Sequence, residues 1–222
     1  MSNNSKQHVL KSMNRAVYSL ITCLFASASN ADVPNVVTDI APTHSLVSMI
    51  IKGIGEPKLL IKPTENPHDY RLRPSKAKAL EQADIVFWIA SGLTPSLVKT
   101  IPNIANSAES VELIELEGTE ILYVRENVAF AEDDHGHGNN HDEHDEHRTV
   151  DPHAWLSINN GKNWLDKIAN KLSILDPENK NQYQKNAQLA KLEISQTGKK
   201  IEKMLASKND GNFLVYHDAY QY

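Results

Sequence analysis

Cysteine is nearly missing from the 222-residue chain: the one thiol, Cys23, sits in an N-terminal segment with the order of a secretory leader. Lys6, Lys11 and Arg15 precede the apolar stretch "AVYSLITCLFA", which gives way to the small residues "SASNA". Basic region, short apolar region and small-residue cleavage site predict a leader over 1–31, cut after Ala31. The apolar run is too short for a membrane span with these flanks; an uncleaved anchor is the alternative. Without Cys23 the exported chain has no disulfide, so its cores must be apolar, and any metal must be held by His, Asp or Glu rather than thiolate. A bacterial periplasm or cell surface is the expected location.

Positive charge is also in short supply. Lys and Arg number 23 against 28 Asp and Glu, a net charge of −5, which argues against the basic face a nucleic-acid partner requires. No G-x-S-x-G, P-loop or dinucleotide fingerprint occurs. The stretch "HDEHDEH" spaces its histidines three apart in a polar run, unlike the H-E-x-x-H of a zinc hydrolase. No catalytic residue is assigned.

What is present after Ala31 is an alternation of short apolar and longer amphipathic runs. "NVVTDI", "PKLLIK", "DIVFWIA" and "VELIEL" read as strands, with "SLVSMIIKGI" and a helix opened by Pro74 and Ser75 between them. "DIVFWIA" is apolar throughout, as a parallel strand covered on both faces should be. The expected fold is α/β: a parallel-sheet N-terminal lobe with flanking helices over 32–158. Linking helices are expected over 159–210, interrupted at Asp176-Pro177. The last of them, roughly thirty residues and about 45 Å if fully helical, is longer than a small core needs and reads as a strut. "GNFLVYHDAYQY" then starts a new buried-strand pattern, so 211–222 is expected to be the first strand of a second α/β lobe that this sequence only begins.

One segment breaks the alternation. Glu132 to Trp155, "EDDHGHGNNHDEHDEHRTVDPHAW", gathers six histidines and eight carboxylates in twenty-four residues. From 132 to 148 periodicity and apolar residues almost vanish, the composition of a mobile loop. Two readings stay open on composition. It is either a solvated acidic stretch or a cation collector whose His135, His137, His141, His144 and His147 bind weakly, since disordered ligands lose entropy on coordination.

Outside that loop and the leader stand His44, His68, His153 and His217. His68 lies in "NPHDYRLRPS" between a strand and a helix, His153 in "DPHAWLS" before a helix, and His217 at the end of "FLVYH". These are edge positions where open α/β sheets place ligand-binding groups. Each has an aspartate one or two residues away (Asp69, Asp151, Asp218) that is suited to holding a ligating imidazole's second nitrogen. Adjacent strand residues point to opposite faces, which leaves those pairings open. Each histidine taken singly also fits a turn, helix-start or strand residue with a backbone partner. His44, on the first helix, reads as rim or core. Trp88 and Trp155 read as core or cleft wall, Trp164 as helix packing, and Arg71 and Arg73 as surface pairs.

Taken together, "PHDYRLRPS", "ADIVFW", the His/acid loop, "DPHAWLS" and "HDAY" resemble, in that order, the metal-binding solute-binding proteins of ABC importers, and within them the zinc-uptake branch. The resemblance covers about 36–222. It implies two α/β lobes joined by a long helix, with His68, His153 and His217 as the histidine ligands of a site between the lobes. It also implies a monomer without catalysis that delivers Zn²⁺ to a membrane permease driven by a separate ATPase. Some members carry a glutamate just before the first ligand, where this chain has Pro67, so the fourth position is left to water or a loop histidine. Three imidazoles suit zinc, while manganese prefers more oxygen donors. A manganese or iron member of the same family and a surface adhesin or metal buffer are the alternatives.

Overall fold

The computed structural model describes residues 33–125, 149–206, 215 and 217–222. The segments expected to be a leader and a His/acid loop, and nearly all of the strand expected before His217, lie outside the described residues. Within them one parallel sheet takes in part of each of the four apolar runs, although of "VELIEL" only Val111 and Glu112 are strand and Leu113–Glu115 form a 3₁₀ turn. β1 (Val36–Thr38), β2 (Lys58–Leu59), β3 (Ile85–Trp88) and β4 (Glu109–Glu112) take the order β2-β1-β3-β4. Val37 pairs with Lys58 on one side and Val86 on the other, and Phe87 with Val111, all in parallel. β1 and β3 lie between neighbours and are buried at every residue, which is why their sequences carry no alternation.

The connections are helical, α1 (Ala41–Ile50), α2 (Pro74–Glu81) and α3 (Pro95–Ile104). Each carries Pro in its first turn, where the missing N–H costs nothing. α1 starts four residues earlier than its apolar periodicity indicates, because Pro42 opens it. Ser75 lies inside α2, whose flanking residue Arg73 makes no side-chain cap. α3 was not anticipated. It is short and has Pro102 in its interior, a residue that ordinarily argues against a helix.

α4 (Ile158–Leu175) shows the helical stripe most plainly: Gly161, Trp164, Leu165, Ile168, Ala169 and Leu172 are buried. Ser157 caps it by accepting from Asn160 N at 3.3 Å. The helix stops where expected, at Asp176 before Pro177, and Asp176 accepts from Asn179 Nδ2 at 2.8 Å and Tyr183 Oη at 2.7 Å. α5 (Lys180–Leu205) has 26 residues, about 39 Å at the usual rise. Its first half packs on the lobe through Tyr183, Asn186, Ala187 and Ala190. Asn186 Nδ2 donates to the carbonyls of Ile50 and Lys52 at 2.8 and 2.9 Å, satisfying acceptors left open where α1 ends. Gly198 lets α5 approach α4; a Cβ there would lie 2.8 Å from Ile158 Cδ1. Beyond it, Ile201, Met204 and Leu205 are exposed. No described helix is long and apolar enough to cross a membrane.

Strand order reverses direction between β1 and β3, the switch point at whose carboxyl edge α/β sheets place ligands. Asp39 sits at that edge, fully buried, with Oδ2 accepting from Ile89 N at 2.8 Å. The Thr43 hydroxyl faces the carboxyl without satisfying either Oδ1 or itself. Burial pushes the Asp39 carboxyl up to about 6, against the pull of the Ile89 amide. The folded chain therefore holds this proton more tightly than the unfolded one, where aspartate titrates near ~4. Its contribution to stability is present at acid pH and is lost as pH rises from about 4 to about 6. Asp39→Asn is expected to raise stability at pH 7.5 by up to about 3 kcal/mol and to change it little at pH 4. Urea unfolding at the two pH values measures this; an equal change at both would show that the proton is not held at Asp39.

Candidate metal centre

Each candidate imidazole is presented by irregular backbone rather than by a regular element. His68 lies in a 3₁₀ turn, Pro67–Asp69, just beyond β2, and its amide donates to Asn66 Oδ1 at 3.2 Å. His153 is the residue before a second 3₁₀ turn, Ala154–Leu156. The approach to it is a short antiparallel bridge between Tyr123 and Val150, outside the main sheet. His217 lies in a bend.

These three side chains converge. Among the described residues, one group of metal-ligating side chains comes together, and it is His68, His153 and His217, each offering a nitrogen within 4.8 Å of the other two. Ring centroids are 5.7 Å apart for His68 and His153, 6.3 Å for His68 and His217, and 5.1 Å for His153 and His217. The Nε2 atoms of His153 and His217 face each other at 3.2 Å. A tetrahedral zinc at about 2.0–2.1 Å from each nitrogen sets donors about 3.3 Å apart, so this pair is already at the spacing of two zinc ligands.

One imidazole is anchored in a buried setting and two are accessible. His153 is 7% exposed, whereas His68 and His217 are exposed. The anchor is Asp151, 1% exposed, whose Oδ1 accepts from His153 Nδ1 at 2.7 Å and from His153 N at 3.0 Å. With its proton on Nδ1, the imidazole turns the Nε2 lone pair toward the centre of the cluster, the arrangement a metal ligand needs. Of the three aspartates singled out by proximity in sequence, this is the one seen bonded to an imidazole. Asp69 accepts from Asn66 Nδ2 at 2.9 Å. Asp218 pairs with Arg125, whose Nε donates at 2.9 Å, and the guanidinium holds its carboxyl below the usual carboxylate range.

Burial and then the two neighbouring imidazoles push the His68 pKa down, opposed by the backbone of Gly92 and the charge of Asp69. The neutral ring, the form that coordinates, is favoured. Gly92 belongs to the loop leaving β3, and a Cβ on it would meet the Pro152 ring at 3.5 Å, so the loop lies close against the turn carrying His153. That turn is fixed from the other side by buried Asn160. Its Nδ2 donates to Ala154 O at 3.1 Å and Glu120 O at 2.9 Å, and its Oδ1 accepts from Glu120 N at 2.7 Å.

His44 is separate from the cluster. It is partly buried on α1, with Nδ1 3.3 Å from Thr38 Oγ1, in keeping with its reading as rim or core. Trp164 is fully buried and donates to Thr119 Oγ1 at 3.0 Å, Trp88 to Ser110 Oγ at 3.1 Å, and Arg73 pairs with Glu65 at 2.6 Å. The five loop histidines, 135 to 147, lie outside the described residues. Arg125, Asn160, Gln221 and Tyr222 were missed from the sequence, although the last two stand in the quoted "HDAYQY", four and five residues past His217.

Comparison with known proteins identifies the family. A family model described as "Zinc-uptake complex component A periplasmic" matches residues 36–222. The "High-affinity zinc uptake system protein ZnuA" of Paracoccus denitrificans is 34% identical over 215 residues, 89% of this chain and 65% of that protein. The protein of the same name from Brucella abortus is 34% identical, covering 84% and 63%. A "Manganese ABC transporter substrate-binding lipoprotein PsaA" of Streptococcus pneumoniae is 29% identical, covering 92% and 65%. The chain thus spans just under two thirds of the length of these relatives. Among solved structures, AdcAII of Streptococcus pneumoniae superposes with a TM-score of 0.65 at 21% identity, over 87% of this chain and 64% of that one. Zn(II)-bound AdcA from the same organism gives 0.64 at 19%, over 85% and 36%. These two likenesses support the parallel α/β fold. Because the family match begins with β1 and runs through all three imidazole-bearing segments to Tyr222, the chain belongs to the family of periplasmic zinc-uptake components A.

Proposed function

We propose that the protein is the zinc-binding solute-binding component of an ABC importer. On this reading His68, His153 and His217 capture Zn²⁺ in the periplasm, after export on the 1–31 leader. A monomer then hands the ion to a membrane permease driven by a separate ATPase. The single observation that carries the reading is the convergence of three imidazoles, one of them turned to the centre by Asp151. The relatives' names support it, as does the absence of the fingerprints a hydrolase would need. It is a binding role, not an enzymatic one.

The donor set favours zinc. Three neutral nitrogens with a fourth position left for water or a loop histidine suit Zn²⁺, whereas Mn²⁺ takes harder, oxygen-rich sites and stands at the weak end of the affinity series. A manganese reading draws on the name of the Streptococcus pneumoniae relative. The three imidazoles weigh against it.

Chelator-competition titration tests the assignment. The chain is expected to take up one tight zinc equivalent and to bind manganese far more weakly. His68→Ala, His153→Ala and His217→Ala should each weaken zinc by more than about 100-fold, beyond the cost of losing an outer partner. Full affinity in any one of these variants would remove that residue from the site. Deleting 132–147 is expected to abolish weak additional equivalents and spare the tight one; loss of the tight one would move the primary site into the loop.

Protons compete with the cation for each imidazole, so affinity should fall as pH drops below about 6.5. The lowered pKa of His68 opposes protonation of that ring. Titrations at pH 7.5, 6.5 and 5.5 check the direction. An affinity that does not fall across that range would exclude histidine as the ligand.

A further inference from the structure

The segment from His217 to Tyr222 supplies one ligand although it is neither helix nor strand. An imidazole on irregular backbone loses conformational freedom whenever it coordinates, unless other contacts already hold it in place. Here they do. Gln221 Nε2 donates to Asp151 Oδ2 and, at 3.0 Å, to the Tyr123 carbonyl. Tyr222 Oη donates to the Asp151 carbonyl at 3.0 Å and accepts from Leu122 N at 2.9 Å.

Asp151 is where these contacts meet the metal centre. One carboxylate oxygen carries the His153 ring and amide, the other carries Gln221, and the carbonyl of the same residue carries Tyr222. The residue is 1% exposed, so water has little access to compete for those bonds. A single buried residue thus ties the turn of one ligand to the segment of another. The facing Nε2 pair at 3.2 Å is the geometric result.

We propose that Gln221 and Tyr222 are positioning residues that act through Asp151, latching the His217 segment to the His153 turn so that the two facing imidazoles are assembled before the cation arrives. The proposal rests on the metal-site reading above. Its physical content is that ordering is completed in advance. Less freedom is then lost on coordination, and release requires the latch to open. Differences of this kind between related sites show mainly in the dissociation rate.

The full chain is compared with Gln221→Ala, Tyr222→Phe and the double variant, using zinc alone as the probe. Tyr222→Phe keeps the partly buried ring and removes only the hydroxyl, so it tests the bonds without opening a cavity. Zinc release into excess chelator is expected to be about tenfold faster in each single variant, and faster again in the double. The absorption of the Co²⁺-substituted chain should still report three nitrogen donors. The metal-free melting temperature should move by no more than about 4 °C. A merely structural role predicts the reverse, a lowered melting temperature with release rates within about twofold of the parent; that result, or unchanged rates with unchanged melting, overturns the proposal. A parent chain with no tight zinc equivalent would overturn the metal-site reading and the proposal with it, whatever the variants do.

Discussion

The bond from His153 Nδ1 to Asp151 Oδ1 is the interaction on which the site depends. An imidazole has two nitrogens, and a ligand needs the correct one bare. A buried carboxylate at 2.7 Å settles that by taking the proton-bearing nitrogen. Because the same oxygen also accepts the His153 amide, the side chain of Asp151 is held by the backbone it serves, and ring and turn move as one body. Burial strengthens both bonds and makes leaving either unpaired costly. The other two imidazoles are exposed, and His68 meets the backbone of Gly92. The cluster is best described as a fixed ligand facing two accessible ones.

What holds that fixed ligand in place is the edge of the sheet. Strand order reverses between β1 and β3, and there Asp39 ties the end of β1 to Ile89 at the end of β3. The loop that follows carries Gly92, which backs onto Pro152 and His68, so one loop touches the surroundings of two of the imidazoles. Asn160 closes the arrangement from α4 by bonding both sides of the His153 turn's neighbourhood. Apolar packing places the elements, and a few buried polar side chains set the ångström-scale positions of the imidazoles.

Much of this was legible in the sequence, for physical reasons that also mark the limits. Apolar runs such as "DIVFWIA" identify interior parallel strands because both faces are covered. The helical stripe from Gly161 to Leu172 and the Asp176-Pro177 stop identify α4. α3 escaped because Pro102 lies inside it. The three candidate histidines could be singled out by position, but each alone also fits a structural role, and 85 and 64 residues separate them, so their convergence is a property of the fold rather than of spacing. The aspartates illustrate the limit most clearly. Asp69 and Asp218 follow their histidines directly and turn elsewhere, to Asn66 and Arg125. Asp151 lies two residues before His153, the separation at which an aspartate reaches forward over a turn to the later amide, and from there to the ring. The pairing that formed is the one whose aspartate precedes its histidine by two residues, and not the ones whose aspartate follows directly.

The same asymmetry bears on how such a site performs both halves of its proposed task. Capture favours ligands held at coordinating distance, since each degree of freedom lost on binding subtracts from affinity. Delivery favours ligands that leave without unfolding anything. A site made of three core histidines would meet the first need and fail the second, because opening it would unpack apolar side chains. Here one imidazole is bound to a buried carboxylate, and another rides on a segment held by side-chain bonds from Gln221, Tyr222 and Arg125. Breaking a few such bonds costs far less than exposing a core, as each contributes on the order of 1 kcal/mol net. On the proposed latch, opening proceeds from the His217 side while the sheet and helices that hold His68 and His153 stay folded. The polarity of the latch, rather than any weakness in the ligands, is what reconciles a firm hold with release.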